Sequence, residues 1–215
     1  MKYKFGVPRI DDVIGGVDGG TNVLVAGSSP SANDEFLRRC VSEGVENDEG
    51  VVYVTTDKSA EDLLESYGAD GNDRFGVVDC VSESQGVDVE TSATVKTAGS
   101  PSDMTGIGIQ VSDVLDDFWE GRGIERNRVC LDSVSTLLMY SDLEAVFRFL
   151  HVFTGRVRSI DGVGFFVINP GMHDEREYST LRQLFDGAVE VRDDGGTEVR
   201  VTGLTNGATD WVALG

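Results

Sequence analysis

Lysine is nearly absent from this chain: only four of its 18 basic residues are lysines, against 38 acidic residues, and the formal net charge is -20. No basic stripe exists to neutralise phosphates, so direct nucleic-acid binding is not expected. No apolar run approaches the ~20 residues needed to span a bilayer. The start, Met1-Lys2-Tyr3-Lys4-Phe5, lacks the apolar region and small-residue cleavage site of a signal peptide. A cytoplasmic protein without membrane association is the expectation. Cysteine is scarce too. Cys40, Cys80 and Cys130 are odd in number and lack CxxC spacing, which argues against a disulfide framework or a zinc site and for buried thiols. The two histidines, His151 and His173, lie far apart and read as helix or loop residues rather than as ligands or a general base.

What is present is an ordinary globular core, with 40% hydrophobic residues in 215, enough for one domain over residues 1–215. The surface must therefore carry the charge. Arg in place of Lys, and Asp in excess of Glu, is how proteins of salt-rich cytoplasms stay soluble. At 1 M salt the Debye length falls to ~3 Å, which screens the self-repulsion of such a surface. A halophilic source is expected. An acidic surface that recruits a basic partner is the competing reading.

Short apolar runs alternate with helical stretches, which predicts an α/β fold with a mainly parallel sheet covered on both faces. Strands are expected at 22–26, 51–55, 75–79, 128–131 and 164–168. Residues 188–192 and 198–202 flank Asp193-Asp194-Gly195-Gly196, a turn signal for a closing antiparallel hairpin. Helices are expected at 33–44, 59–67, 103–119, 142–160 and 178–185. In the fourth, Leu143, Val146, Phe147, Leu150, Phe153, Thr154 and Val157 follow the i, i+3, i+4, i+7 rule. Arg148, Arg156 and Arg158 lie off that face, as a solvated flank or, alternatively, a partner contact. The Gly/Ser/Thr-rich stretch 81–101 is expected as a mobile or functional loop, and 205–215 as a C-terminal tail.

A strand followed by Gly27-Ser28-Ser29-Pro30-Ser31-Ala32-Asn33-Asp34 and then a helix is the context of a Walker A motif, GxxxxGK[ST]. In an intact loop, backbone N–H groups and the helix N-terminus cradle phosphates, Lys meets the β/γ oxygens and the hydroxyl holds Mg²⁺. Here Gly27 matches the first glycine. Ala32 stands for the second, Asn33 for the lysine and Asp34 for the Ser/Thr.

The surroundings carry a resemblance. Gly6-Val7-Pro8-Arg9-Ile10-Asp11-Asp12-Val13-Ile14-Gly15-Gly16 leads in, and Val129-Cys130-Leu131-Asp132-Ser133 looks like Walker B. Pro101-Ser102-Asp103-Met104-Thr105-Gly106 matches a loop-to-helix start, and Leu184-Phe185-Asp186-Gly187 a late strand start. Taken in chain order, over residues 6–202, the chain resembles the KaiC-like branch of the RecA superfamily of P-loop NTPases, in its haloarchaeal form. The resemblance implies a RecA-like fold and a metal-holding role for Asp132; where relatives carry a catalytic glutamate pair this chain has Asp57 and Lys58, degenerate equivalents that keep at most one, shorter carboxylate. It also implies a Lys-x-Arg after the last strand, where this chain has Gly203-Leu204-Thr205.

Three catalytic elements are thus changed together, since a missing lysine forfeits charge-assisted bonds of ~2 kcal/mol each. Two functions follow as expectations. The first is a catalytically inactive domain, without cofactor, that regulates or adapts through a protein partner or an oligomer; residues 81–101 and 205–215 would give the specificity, although Trp211 is read as packing back on the sheet. The alternative is an ATP-binding protein or slow ATPase using Asn33, with Asp132 and Asp34 on Mg²⁺. Ser31, Asp34 and Glu35 are expected to cap the helix in place of a nucleotide. Asp132 and Ser133 could equally be retained for structure.

Overall fold

Val23-Leu24-Val25-Ala26 shows no polar alternation because helices cover both faces of its strand. The computed structural model describes residues 2–87 and 94–214. Its strands are β1 (Asn22–Gly27), β2 (Gly50–Thr55), β3 (Phe75–Asp79), β4 (Val95–Thr97), β5 (Asn127–Leu131), β6 (Val163–Ile168), β7 (Gly187–Asp193), β8 (Thr197–Thr202) and β9 (Val212–Ala213). They form one sheet in the order β4-β3-β2-β5-β6-β1-β7-β8-β9. The sheet is parallel as far as β7, and β8 and β9 add antiparallel.

Among the described residues seven α-helices flank it: α1 (Pro8–Ile14), α2 (Pro30–Glu46), α3 (Ala60–Tyr67), α4 (Met104–Asp116), α5 (Val134–Tyr140), α6 (Leu143–Ser159) and α7 (Glu175–Arg182). Alternate residues of β1 feed two cores. Val23 and Val25 pack with Phe36, Leu37 and Phe165 on the α2 side. Leu24 packs with Val111, Phe118, Leu150 and Phe166 on the side of α4 and α6. All three cysteines are free and buried, and burial pushes the Cys130 thiol up to about 12. Among the described residues no helix is long and apolar enough to cross a membrane.

The amino edge of the sheet is fastened by charge. Arg128, fully buried on β5, donates from Nε to Glu49 (2.7 Å), and Arg126 reaches the other oxygen of the same carboxylate (2.7 Å). Arg126 also lies 4.0 Å from the centre of the Tyr3 ring, whose hydroxyl donates to Asp161 O (3.0 Å).

Two expectations change. The 81–101 stretch is not wholly a loop: Glu83–Gln85 makes a 3₁₀ turn and Val95–Thr97 pairs with β3 as an edge strand, because the Val95 side chain reaches the core. Its residues 88–93 lie outside the described residues. The tail 205–215 contains β9, and Trp211 is held by two arginines, 4.1 Å from Arg192 and 4.8 Å from Arg200, as the packed-back reading expects.

Candidate functional site

Open parallel sheets present ligand sites at the carboxyl ends of their strands, and β1, β2 and β5 bring the expected site residues to that edge. Only Ser28 and Ser29 separate β1 from α2. Ser29 is the N-cap, its hydroxyl accepting from Ala32 N–H (3.4 Å), and Pro30 follows at the first helical position, where a missing N–H costs nothing. The helix therefore starts before residue 33. Ser31, Ala32, Asn33 and Asp34 lie inside its first turns, and Asn33 N–H already donates to Ser29 O (3.0 Å). The expected cap by Ser31, Asp34 and Glu35 does not form. The Ser-Pro pair is the stronger start signal, because proline has its φ preset for a helix and serine supplies the acceptor.

Asn33 turns inward and is buried. Its Nδ2 donates to Gly27 O (2.9 Å), while Oδ1 packs on Gly27 and has no hydrogen-bond partner. A Cβ on Gly27 would collide with that oxygen and lie 2.9 Å from the Val191 Cβ, so only glycine fits there. Asp34 faces Lys58 in an ion pair of 2.6 Å. With both side chains more than a third exposed, such a pair contributes on the order of 0.2–1 kcal/mol. Partial burial pulls the Lys58 ammonium down, but Asp34, with Asp57 and Asp132 beyond it, offsets this and leaves it raised.

Asp57 is exposed beside Lys58. Asp132 directly follows β5 and accepts on Oδ1 from the N–H (2.9 Å) and hydroxyl (2.7 Å) of Thr56, binding the β5 end to the turn after β2. Its Oδ2 is buried without a partner. Burial first, and the Asp57 carboxyl second, push the Asp132 carboxyl well above the usual carboxylate range. Ser133 caps α5, accepting from Thr136 N–H (2.9 Å).

Sequence reasoning did not find one neighbouring group. Ser135 Oγ accepts from Asn169 N–H (2.9 Å) and lies 2.8 Å from His173 Nε2, with Glu177 3.7 Å from the other ring nitrogen. The order resembles a nucleophile, base and orienting acid. Ser135 is only 3% exposed, however, and its oxygen is already used by a backbone N–H. The group braces the β6 end against α5 and α7. Nothing in the local sequence signals it, since Ser135 and His173 meet only in the fold.

No curated protein matches the chain. Among solved structures it is similar to an uncharacterized protein, PH0321 from Pyrococcus horikoshii, in complex with an unknown peptide: TM-score 0.70, 16% identity, covering 93% of this chain and 90% of that one. It is also similar to the KaiC-like protein PH0186 from Pyrococcus horikoshii OT3: TM-score 0.68, 15% identity, covering 98% and 93%. These likenesses establish a KaiC-like, RecA-like fold. The model of a family of unknown function, DUF7504, matches residues 20–191, most of the chain, and the protein belongs to that family.

Proposed function

We propose that this is a catalytically inactive RecA/KaiC-like domain that works as a regulatory or adaptor protein through association with other proteins. One observation carries the reading: α2 begins at Pro30, directly against the end of β1, with Asn33 drawn onto Gly27. A phosphate cradle needs successive free N–H groups at a loop and helix start. Here Pro30 has none, and those of Ala32 and Asn33 already donate to Ser29. At the lysine and hydroxyl positions, Asn33 is turned inward and Asp34 presents a carboxylate already paired with Lys58. These residues do not fit ATP with Mg²⁺. Asp132 then serves structure, joining the ends of β2 and β5 through Thr56, and Lys58 ties the turn after β2 to α2 through Asp34. That PH0321 holds a peptide supports peptide or protein association as the function of such a fold. The surface charge supports a halophilic cytoplasm as the setting.

A slow ATPase is the second reading, favoured by the buried, partnerless Oδ2 of Asp132, a free oxygen for a cation. Titrating ATP with Mg²⁺ into the protein in molar KCl, by calorimetry, separates the two. The expected result is no saturable heat. Saturable binding, with phosphate release that Asp132→Ala abolishes, overturns the non-catalytic reading.

A further inference from the structure

The last long strand of the sheet needs a cover. An edge such as that of β8 presents a row of N–H and C=O groups, the usual seed of pairing between chains. Residues 209–214 close it, although only Val212–Ala213 form β9. Thr209 takes both main-chain groups of Val201: its N–H donates to Val201 O (2.9 Å) and its hydroxyl accepts from Val201 N–H (2.9 Å). Further on, Val212 pairs with Val199, Ala213 with Glu198, and Leu214 N–H donates to Thr197 O (2.9 Å). Side chains fix the segment as firmly. Leu214 is buried in the core on the α2 side, Arg39 of α2 donates to its carbonyl (2.6 Å), and Trp211 lies against Arg192 and Arg200.

The connection to this segment is of another kind. Leu204 still packs on Gly187. After it, residues 205–208 bond only to one another: Gly207 N–H donates to Thr205 O (2.8 Å), and Thr205 Oγ1 donates to Gly207 O (2.7 Å). Asn206, Gly207 and Ala208 are exposed, and Gly207 holds a φ of 124°, a conformation that suits only glycine. The return of the chain to its own β8 thus rests on a turn with no hydrogen bond to the body. Every contact that seats the segment comes from residues before that turn, and every residue that fills the seat comes after it.

We infer that residues 209–214 exchange between two copies of this chain, each segment seated on the β8 of the other copy. The occupant is a second copy because it repeats every contact of the seat. A foreign strand supplies the ladder, but not the leucine for the α2-side core or the indole for the two arginines. No contact is lost on exchange, so the balance lies between the freedom lost on association and the turn released, and it shifts with protein concentration. The exchange is reciprocal and stops at a closed two-fold dimer, with no β8 edge left open. Apolar packing and main-chain bonds carry it. These survive molar salt, where a Debye length of ~3 Å also screens the repulsion between two acidic bodies. The inference goes beyond the non-catalytic reading and needs no nucleotide.

The test uses full-length protein and one facing pair. Glu198 and Ala213 lie opposite each other beside the bonded pair Thr197 and Leu214, as a non-hydrogen-bonded pair within disulfide reach. A Glu198→Cys population is mixed with an Ala213→Cys population at high concentration in molar KCl, with oxidised glutathione as the oxidant; the three native cysteines are buried. A disulfide-linked dimer is expected from the mixture and from neither population alone. The double variant E198C/A213C, kept dilute, closes the same bridge within one chain and shows that the pair is competent. No dimer from the mixture, with that bridge formed, overturns the inference. So does a dimer formed as readily when Ser179→Cys, an exposed site away from β8, replaces Ala213→Cys, since collision then explains it. Gly207→Pro gives a second measurement without cysteines. Proline cannot take the φ of the closed turn, so sedimentation is expected to show dimerisation tightened about tenfold. A Gly207→Pro protein that stays monomeric at every concentration overturns the inference as well. ATP binding with phosphate release rejects the non-catalytic reading and leaves the exchange result standing.

Discussion

Asn33 decides the chemistry of the carboxyl edge, and it can be tested one atom group at a time. Replacing it with alanine removes the bond to Gly27 O and leaves that carbonyl without its buried donor, at a cost of about 1–3 kcal/mol. A lower denaturant midpoint with unchanged slope is the expected outcome. Restoring the motif with A32G, N33K and D34T is expected not to create ATP binding, because Ser29 and Pro30 still start the helix at the same place; saturable binding by this triple variant in calorimetry would sink the geometric argument. Asp132 offers a pH test. Its folded carboxyl is raised, so the native state keeps a proton that the unfolded chain releases. Stability then falls as pH rises from the ordinary carboxylate range towards neutrality. Asp132→Asn keeps the oxygen that Thr56 uses and removes the titration. A higher Tm than wild type near neutral pH, with the gain shrinking in acid, is expected from thermal scans across pH.

At the scale of elements, the amino edge depends on a buried pair. Removing one member of such a pair costs about 3–5 kcal/mol, whereas replacing both by apolar residues of similar size is often near neutral. Arg128→Met is therefore expected to unfold the protein at much lower denaturant, and Arg128→Met with Glu49→Leu to recover most of the loss, as read by chemical unfolding. The central strands could be seen in the sequence because burial on two faces writes a continuous apolar run; β1, β2 and β6 are such runs. The short elements could not. β4 has three residues within a polar stretch, and α5, VSTLLMY, is too short to show a period. α1 was visible only as part of a family signature: Pro8 starts it as Pro30 starts α2, but Val7 before it supplies no side-chain cap. For the site, sequence placed Asn33, Asp34, Asp57, Lys58 and Asp132 at one edge, because strand ends define it. It could not show that Asp34 faces Lys58, or that Ser29 rather than Ser31 caps α2, since these depend on where the helix begins. The approach of His173 to Ser135 joins segments that meet only after folding.

For the whole molecule, the charge makes stability a function of salt. With 38 acidic residues against 18 basic ones, self-repulsion is strongest when the Debye length is long. Under the proposed halophilic setting, Tm is expected to climb steadily from dilute buffer to molar KCl in differential scanning fluorimetry; a flat or falling profile would remove that proposal. The order of the strands has a consequence for synthesis as well. β1 lies between β6 and β7, so the apolar strand ending at residue 27 has neither neighbour until the chain has been made to residue 168, and not both until residue 193. Pairings between such distant segments form slowly, and unpaired strand edges invite aggregation meanwhile. While still on the ribosome, the nascent chain carries this apolar strand open at both edges from residue 27 until β6 has been made at residue 168. Chaperone demand and expression yield should therefore be set by how long β1 waits, more than by how stable the finished fold is.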